Sequence, residues 1–237
     1  MSDAKGWMGL CMAAVLLWGC DGRSEGAAAA GRRVRIGLAA QGLSHEFIKT
    51  LAESMKGKAR ELGVELAIMD SQDKIEEQLN QVDNLVSQRM DAIILNCLDH
   101  VGSGPAVDRI KQAGIPLVEV ITFTRNENYD VFVGTDPKQS GVMMGDILAK
   151  RLGGKGKVAL LQGQIGHSGE LNRSAGLREA LFDKYPDVKL VTQQTANWNR
   201  DEALRITEDW LQRFQIPVLE PWSQLPSSFN WPLGCEA

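Results

Sequence analysis

Aromatic side chains make up only 6% of the 237 residues. That is too few for an all-β sandwich built on Tyr and Phe. Cysteine is equally sparse: four residues in a chain of this length do not make a disulfide scaffold. The three histidines, His45, His100 and His167, have no metal-ligand spacing between them and read as loop residues. Basic residues number 26 against 30 acidic ones, a net charge of −4, which argues against a nucleic-acid binder. Glycine and proline, at 24 and 8, are too few for a low-complexity chain. The apolar run Trp7–Gly19 falls short of the ~20 residues that cross a bilayer.

The familiar catalytic signatures are incomplete. Gly166-His167-Ser168-Gly169 begins like a nucleophile elbow, but G-x-S-x-G needs a glycine at 170, and that residue is Glu. Gly154-Lys155-Gly156-Lys157 follows a helical stretch, whereas a P-loop lies between a strand and the helix after it. Ala40-Gln41-Gly42-Leu43-Ser44 is not a dinucleotide-binding G-x-G-x-x-G. No catalytic residue, metal or cofactor is implied. The Gly163–Gly169 turn carries backbone N–H groups suited to an anion, with a plain turn as the ordinary alternative.

The beginning of the chain reads as an address. Trp7–Gly19 has the length of a signal-peptide h-region, although Lys5 is the only base before it. Leu17-Trp18-Gly19-Cys20 resembles a bacterial lipobox, in which cleavage before the cysteine exposes it for lipidation. Residues 1–19 are therefore expected to be a lipoprotein signal and 20–33 a flexible tether. An ordinary signal peptide with an incidental Cys20, or a short buried helix, are the alternatives. Cys97 and Cys235 would then remain, with no pairing pattern.

From Val34 the chain alternates strand and helix. Val34–Ala39, Val64–Met69, Ala92–Asn96 and Pro116–Ile121 read as strands. Between the first three lie stripes at helical spacing: Phe47, Ile48, Leu51, Ala52, Met55, then Ile75, Leu79, Val82, Val86. Ala106, Val107 and Ile110 mark a shorter helix. Ala92–Asn96 is nearly all apolar, as a parallel strand covered on both faces must be. The pattern predicts an α/β fold with an open parallel sheet flanked by helices. A strand at Val131–Gly134 and a helix over Pro137–Leu152 follow. Lys157–Gln162, Gly169–Lys184, Val188–Thr192 and Arg200–Phe214 then repeat strand, helix, strand, helix.

Val34 and Val64 open strands, and so do Val158 and Val188, both pairs 124 residues apart. Two similar Rossmann-like lobes are expected, 34–134 and an incomplete 135–214, with a ligand cleft between them. After Phe214 the pattern stops. Pro217, Pro221, Pro226 and Pro232 are half of the prolines, which no helix tolerates; only Ile216–Glu220 could hold a strand. Residues 215–237 are expected to be an aberrant Pro-rich tail.

Several segments together resemble one family: RVRIGLAAQGLSHEFIKTLAESMKGKARELGVEL, MDSQDKIEEQLNQVDNLVSQRMDAIIL, GIPLVEVITF, VGTDPKQSGVMMGDILAKRLGGKGKVALLQGQIGHSGELNRSAGLREAL and TANWNRDEALRITEDWLQRF. Over about 180 residues they are similar to periplasmic sugar-binding proteins of the ribose-binding type, the solute receptors of ABC importers. The resemblance implies a type I periplasmic-binding fold and a sugar stacked between aromatic rings. By position it implies His45 and Phe47 from the first βα loop, Arg173 from the helix after Gly163–Gly169, and Trp198 from the loop before Arg200. Each has an ordinary alternative: Phe47 a core residue, Arg173 a solvated helix charge, Trp198 a lobe-surface residue, and His45 a plain loop residue.

Two departures accompany it. Ile121-Thr122 stands where the family places a polar pair, leaving only the Thr122 hydroxyl. The family's later ligand segments are absent after Phe214, so the sequence looks truncated or frameshifted there. What the resemblance implies is an exported, lipid-anchored, monomeric protein that binds a monosaccharide or polyol. It would serve an ABC importer permease, touch the membrane through its lipid alone, bind no nucleic acid and catalyse nothing. The missing strands lead to an expectation of impaired sugar binding. A receptor feeding a sensor kinase or chemoreceptor, and an inactive relic of the family, remain as alternatives. A LacI-type regulator would need a helix-turn-helix where residues 1–33 hold an apolar signal.

Overall fold

The structure, a computed structural model, describes residues 32–214. The Trp7–Gly19 run, Cys20 and most of the tether lie outside the described residues, as do Ile216–Glu220 and the rest of the tail.

The first lobe is a five-stranded, all-parallel sheet. Its strands are β1 (Arg35–Ala40), β2 (Glu65–Asp70), β3 (Ala92–Leu95), β4 (Leu117–Val120) and β5 (Val131–Val133), in the order β2-β1-β3-β4-β5. Helices α1 (Glu46–Leu62), α2 (Ile75–Ser87) and α3 (Gly104–Gln112) connect β1 to β4. Alternation along each strand sends side chains to two cores. Leu38, Ala40 and Ile94 meet Ile48 and Ala52 of α1. Ala39, Ile93, Leu95 and Leu117 meet Val82 and Leu85 of α2 and Val107 and Ile110 of α3. This double coverage explains the unbroken apolar run of β3, each fully buried Leu or Ile contributing roughly 1.5–3 kcal/mol.

The second lobe contains α4 (Pro137–Leu152), β6 (Gly156–Gln162), α5 (Ser168–Leu177), β7 (Val188–Thr195) and α6 (Arg200–Phe214). Among the described residues its sheet has two parallel strands, β6 and β7, with a bulge between Val158 and Ala159. Val158 and Leu160 face Leu177, Leu181 and Ala149, while Ala159 faces Ile206 and Trp210 of α6. Both sheets belong to one compact unit that starts at Arg33.

The single helix expected over Gly169–Lys184 is instead α5 followed by a π-helical turn, Arg178–Phe182. The wider turn, in which the Asp183 N–H donates to the Arg178 carbonyl, carries Ala180 and Leu181 into the core together with Leu177. α5 lies very close to α4. A Cβ at Gly141 would strike the Arg173 carbonyl, and one at Gly176 would strike the Lys138 carbonyl. This contact seats the backbone of Arg173 against a second helix.

Candidate functional site

The strands of both sheets are parallel, so the loops at their C-terminal ends converge. Residues just past β1, β4, β5, β6 and β7 line one cavity of about 710 Å³. Gln41 follows β1, Ile121 follows β4, Gly134 and Thr135 follow β5, His167 follows β6 and Trp198 follows β7.

Four of the expected residues, His45, Phe47, Arg173 and Trp198, lie on this wall. Phe47 is 62% exposed in the first turn of α1, while its neighbour Ile48 takes the core position. The α1 N-terminus therefore presents an aromatic ring to the cavity. Trp198 comes from the other lobe. Its backbone is left-handed, φ 58°, as is that of Asn197 at φ 51°. The Asn197 N–H donates to Thr195 Oγ1 at 3.1 Å, which ties the loop to β7. The indole covers Gly163, where a Cβ would run into the ring. The Arg173 guanidinium sits 5.9 Å from the Trp198 ring centroid, within cation–π range.

Thr122 does not line the cavity. Its side chain is buried, the hydroxyl donating to the Cys97 carbonyl at 2.9 Å and accepting from Asn96 Nδ2 at 3.0 Å. A left-handed Ile121, φ 65°, provides the wall in its place. The hydroxyl thus belongs to the buried network that fixes the end of β4.

Two residues escaped the sequence reading. His167, assigned there to a plain loop, is buried and precedes α5 as its N-cap. The Gly169 N–H donates to its Nδ1 at 3.1 Å, so the neutral ring carries its proton on Nε2. That Nε2 lies 3.1 Å from Oε1 of Gln41, a buried residue of the first lobe. Burial above all, then the positive charge of Arg173, pushes the His167 pKa down to about 4. A signal for His167 did exist: His45 is the N-cap of α1, the matching helix of the first lobe.

The lobes also touch outside this pair. The His100 N–H donates to the Gly166 carbonyl at 2.9 Å, and the Phe123 N–H to Ser168 Oγ at 3.1 Å. Among the described residues no group of three or more His, Cys, Asp or Glu is placed to hold a metal ion. The cavity wall combines one aromatic face from each lobe with Arg173, His45, Gln41 and Thr135. Such a wall suits a small ligand with an apolar C–H face and many hydroxyls.

The profile of a family described as "Periplasmic binding protein domain" matches residues 36–219. The chain is 37% identical over 180 residues to the xylitol-binding protein of Mycolicibacterium smegmatis, covering 76% of this chain and 51% of that protein. It is 28% identical over 177 residues to the ribose import binding protein of Bacillus subtilis, covering 75% and 57%. A solved ABC transporter solute binding protein from Bacillus halodurans, with bound myo-inositol, superposes with a TM-score of 0.71 at 28% identity, covering 76% and 63%. The chain spans about half to three fifths of the length of these two curated relatives.

Proposed function

This chain belongs to the periplasmic binding protein domain family, and on that premise we propose that its cavity binds a neutral monosaccharide or polyol. The family is one of binding proteins, and the reading is of a receptor that catalyses nothing. One observation carries the ligand class: Phe47 from the first lobe and Trp198 from the second line the same cavity as Arg173. Aromatic faces take the C–H side of a sugar or polyol, and a guanidinium donates several hydrogen bonds to hydroxyls. Relatives named for xylitol and ribose support the same class.

In this reading the protein acts outside the cytoplasm, held to a membrane by lipid on Cys20, and delivers its solute to the permease of an ABC importer. Calorimetric titration of the 237-residue chain with xylitol, D-ribose and myo-inositol is the test. The expected result is saturable binding of at least one of them in the millimolar range or tighter, weakened roughly tenfold or more by Trp198→Ala. Binding of none of the three would overturn the proposal.

A further inference from the structure

We propose that Asp73 is a positioning residue that holds His45 with its Nδ1 lone pair free to accept a hydrogen bond from a ligand hydroxyl. This rests on the polyol reading of the cavity given above.

His45 Nε2 lies 2.8 Å from Asp73 Oδ1. A carboxylate can only accept, so the ring proton sits on Nε2 and Nδ1 of the neutral imidazole keeps its lone pair. Among the described residues His45 Nδ1 has no hydrogen-bond partner, its ring bonding through Nε2. Among the described residues, Gln164 Oε1 is the one buried side-chain polar atom without a partner, so Nδ1 is not sealed off. His45 lines the cavity. Arg173 offers that space donors only. A ligand hydroxyl is both donor and acceptor, and a wall that binds it well needs acceptors too.

Asp73 is itself held in place. Its backbone is left-handed, φ 57°, next to Gln72 at φ 50°. Its N–H donates to the Gln41 carbonyl at 2.8 Å. Asp70 Oδ1 accepts from the N–H groups of Gln72 and Leu43, both at 3.0 Å, and so clamps the two loops together. Gly42 leaves room, since a Cβ there would lie 2.7 Å from Asp73 Oδ1.

The second lobe contains the matching arrangement with different chemistry. Asn197 and Trp198 are its paired left-handed residues, and Trp198 meets His167 edge-on, with ring centroids 5.4 Å apart. A Cβ at Gly163 would strike Trp198, just as one at Gly42 would strike Asp73. His167, however, has both ring nitrogens occupied, by the Gly169 N–H and by Gln41. Of the two equivalent histidines, only His45 retains a free acceptor. A carboxylate rather than an aromatic ring stands beside it.

Long-range 1H–15N spectra of the full chain at pH 8 read the His45 tautomer directly, with Asp73→Ala, Asp73→Asn and His45→Ala as variants. The Nε2–H tautomer is expected in the wild type, and a mixture in Asp73→Ala. Xylitol binding should weaken roughly tenfold in Asp73→Ala and be largely kept in Asp73→Asn, whose carbonyl still accepts. In the His45→Ala background, Asp73→Ala should cost nothing more. An Nδ1–H tautomer in the wild type, or unchanged xylitol affinity in Asp73→Ala, overturns the proposal while leaving the polyol reading intact. Failure of the wild type to bind xylitol, D-ribose or myo-inositol removes both. Should Asp73→Ala not fold, the wild-type tautomer and the Asp73→Asn affinity still decide.

Discussion

His167 and Gln41, 126 residues apart in the chain, meet at 3.1 Å between Nε2 and Oε1 and join the two lobes. The bond that orients this ring, from the Gly169 N–H to Nδ1, needs a neutral His167. A second proton would take Nδ1 away from the Gly169 N–H and place a cation near Arg173.

This gives a pH dependence of defined sign. The folded-state pKa, about 4, lies below the ordinary 6.5. The stabilisation is therefore fully present above about pH 6.5 and is lost as pH falls towards 4, by up to about 3 kcal/mol. Glu119 works in the opposite direction. Its carboxylate is buried on β4, and burial, only partly offset by hydrogen bonds from Thr124, raises its pKa to about 7. Its contribution is present below about pH 4.5 and lost as pH rises through 7. The wild type alone mixes the two effects, and the informative quantity is the stability difference between wild type and His167→Gln. That difference should shrink between pH 7 and pH 4.5; a difference independent of pH would count against the assignment. Arg173→Ala should raise the His167 titration midpoint seen by NMR, because one repulsive charge is gone.

Two glycine substitutions should have opposite effects. Gly141→Ala drives a methyl group into the Arg173 carbonyl where α4 meets α5. A loss of about 1–3 kcal/mol is expected, a fall in Tm of roughly 2–10 °C. Gly57 sits inside α1 with nothing within 4 Å of its would-be Cβ. Gly57→Ala should stabilise by about 0.5–1 kcal/mol through helix propensity alone. Thermal melts of the pair check both signs, and equal effects would mean that the α4–α5 contact is not tight.

Lipidation at Cys20 is a prediction from the Leu17–Cys20 box. Expressed in a bacterial host, the chain should fractionate with membranes, and intact mass should show acyl chains on an N-terminal Cys20. Cys20→Ser should remain uncleaved or appear without lipid. A wild-type mature protein beginning elsewhere and free in the soluble periplasmic fraction would sink the prediction.

The strand and helix order was legible in the sequence because it is local. The Ala92–Leu95 run is apolar on both faces because α1 covers one side of the sheet and α2 with α3 the other. The stripe through Ile48 and Ala52 sets the buried face of α1 in the same way. The π-helical turn at Arg178–Phe182 was not legible, since nothing in its side-chain spacing separates it from a continued α-helix.

The site was only half local. Phe47 fits a core stripe and a cavity wall equally well by spacing. The rotation of α1 that buries Ile48 leaves Phe47 at the cavity. Thr122 carried the hydroxyl that suited a ligand, yet the backbone turn at Ile121 and the nearby Asn96 and Cys97 claim it for the interior. His167 looked like a loop residue until Gln41, Arg173 and Trp198 arrived from three other segments. Periodicity, caps and breakers act over a few residues, so the sequence by itself determined the elements and the order of the sheet-forming repeats. The partners, burial and charge state of each cavity side chain depend on loops brought together from distant positions, and only the tertiary structure decided those.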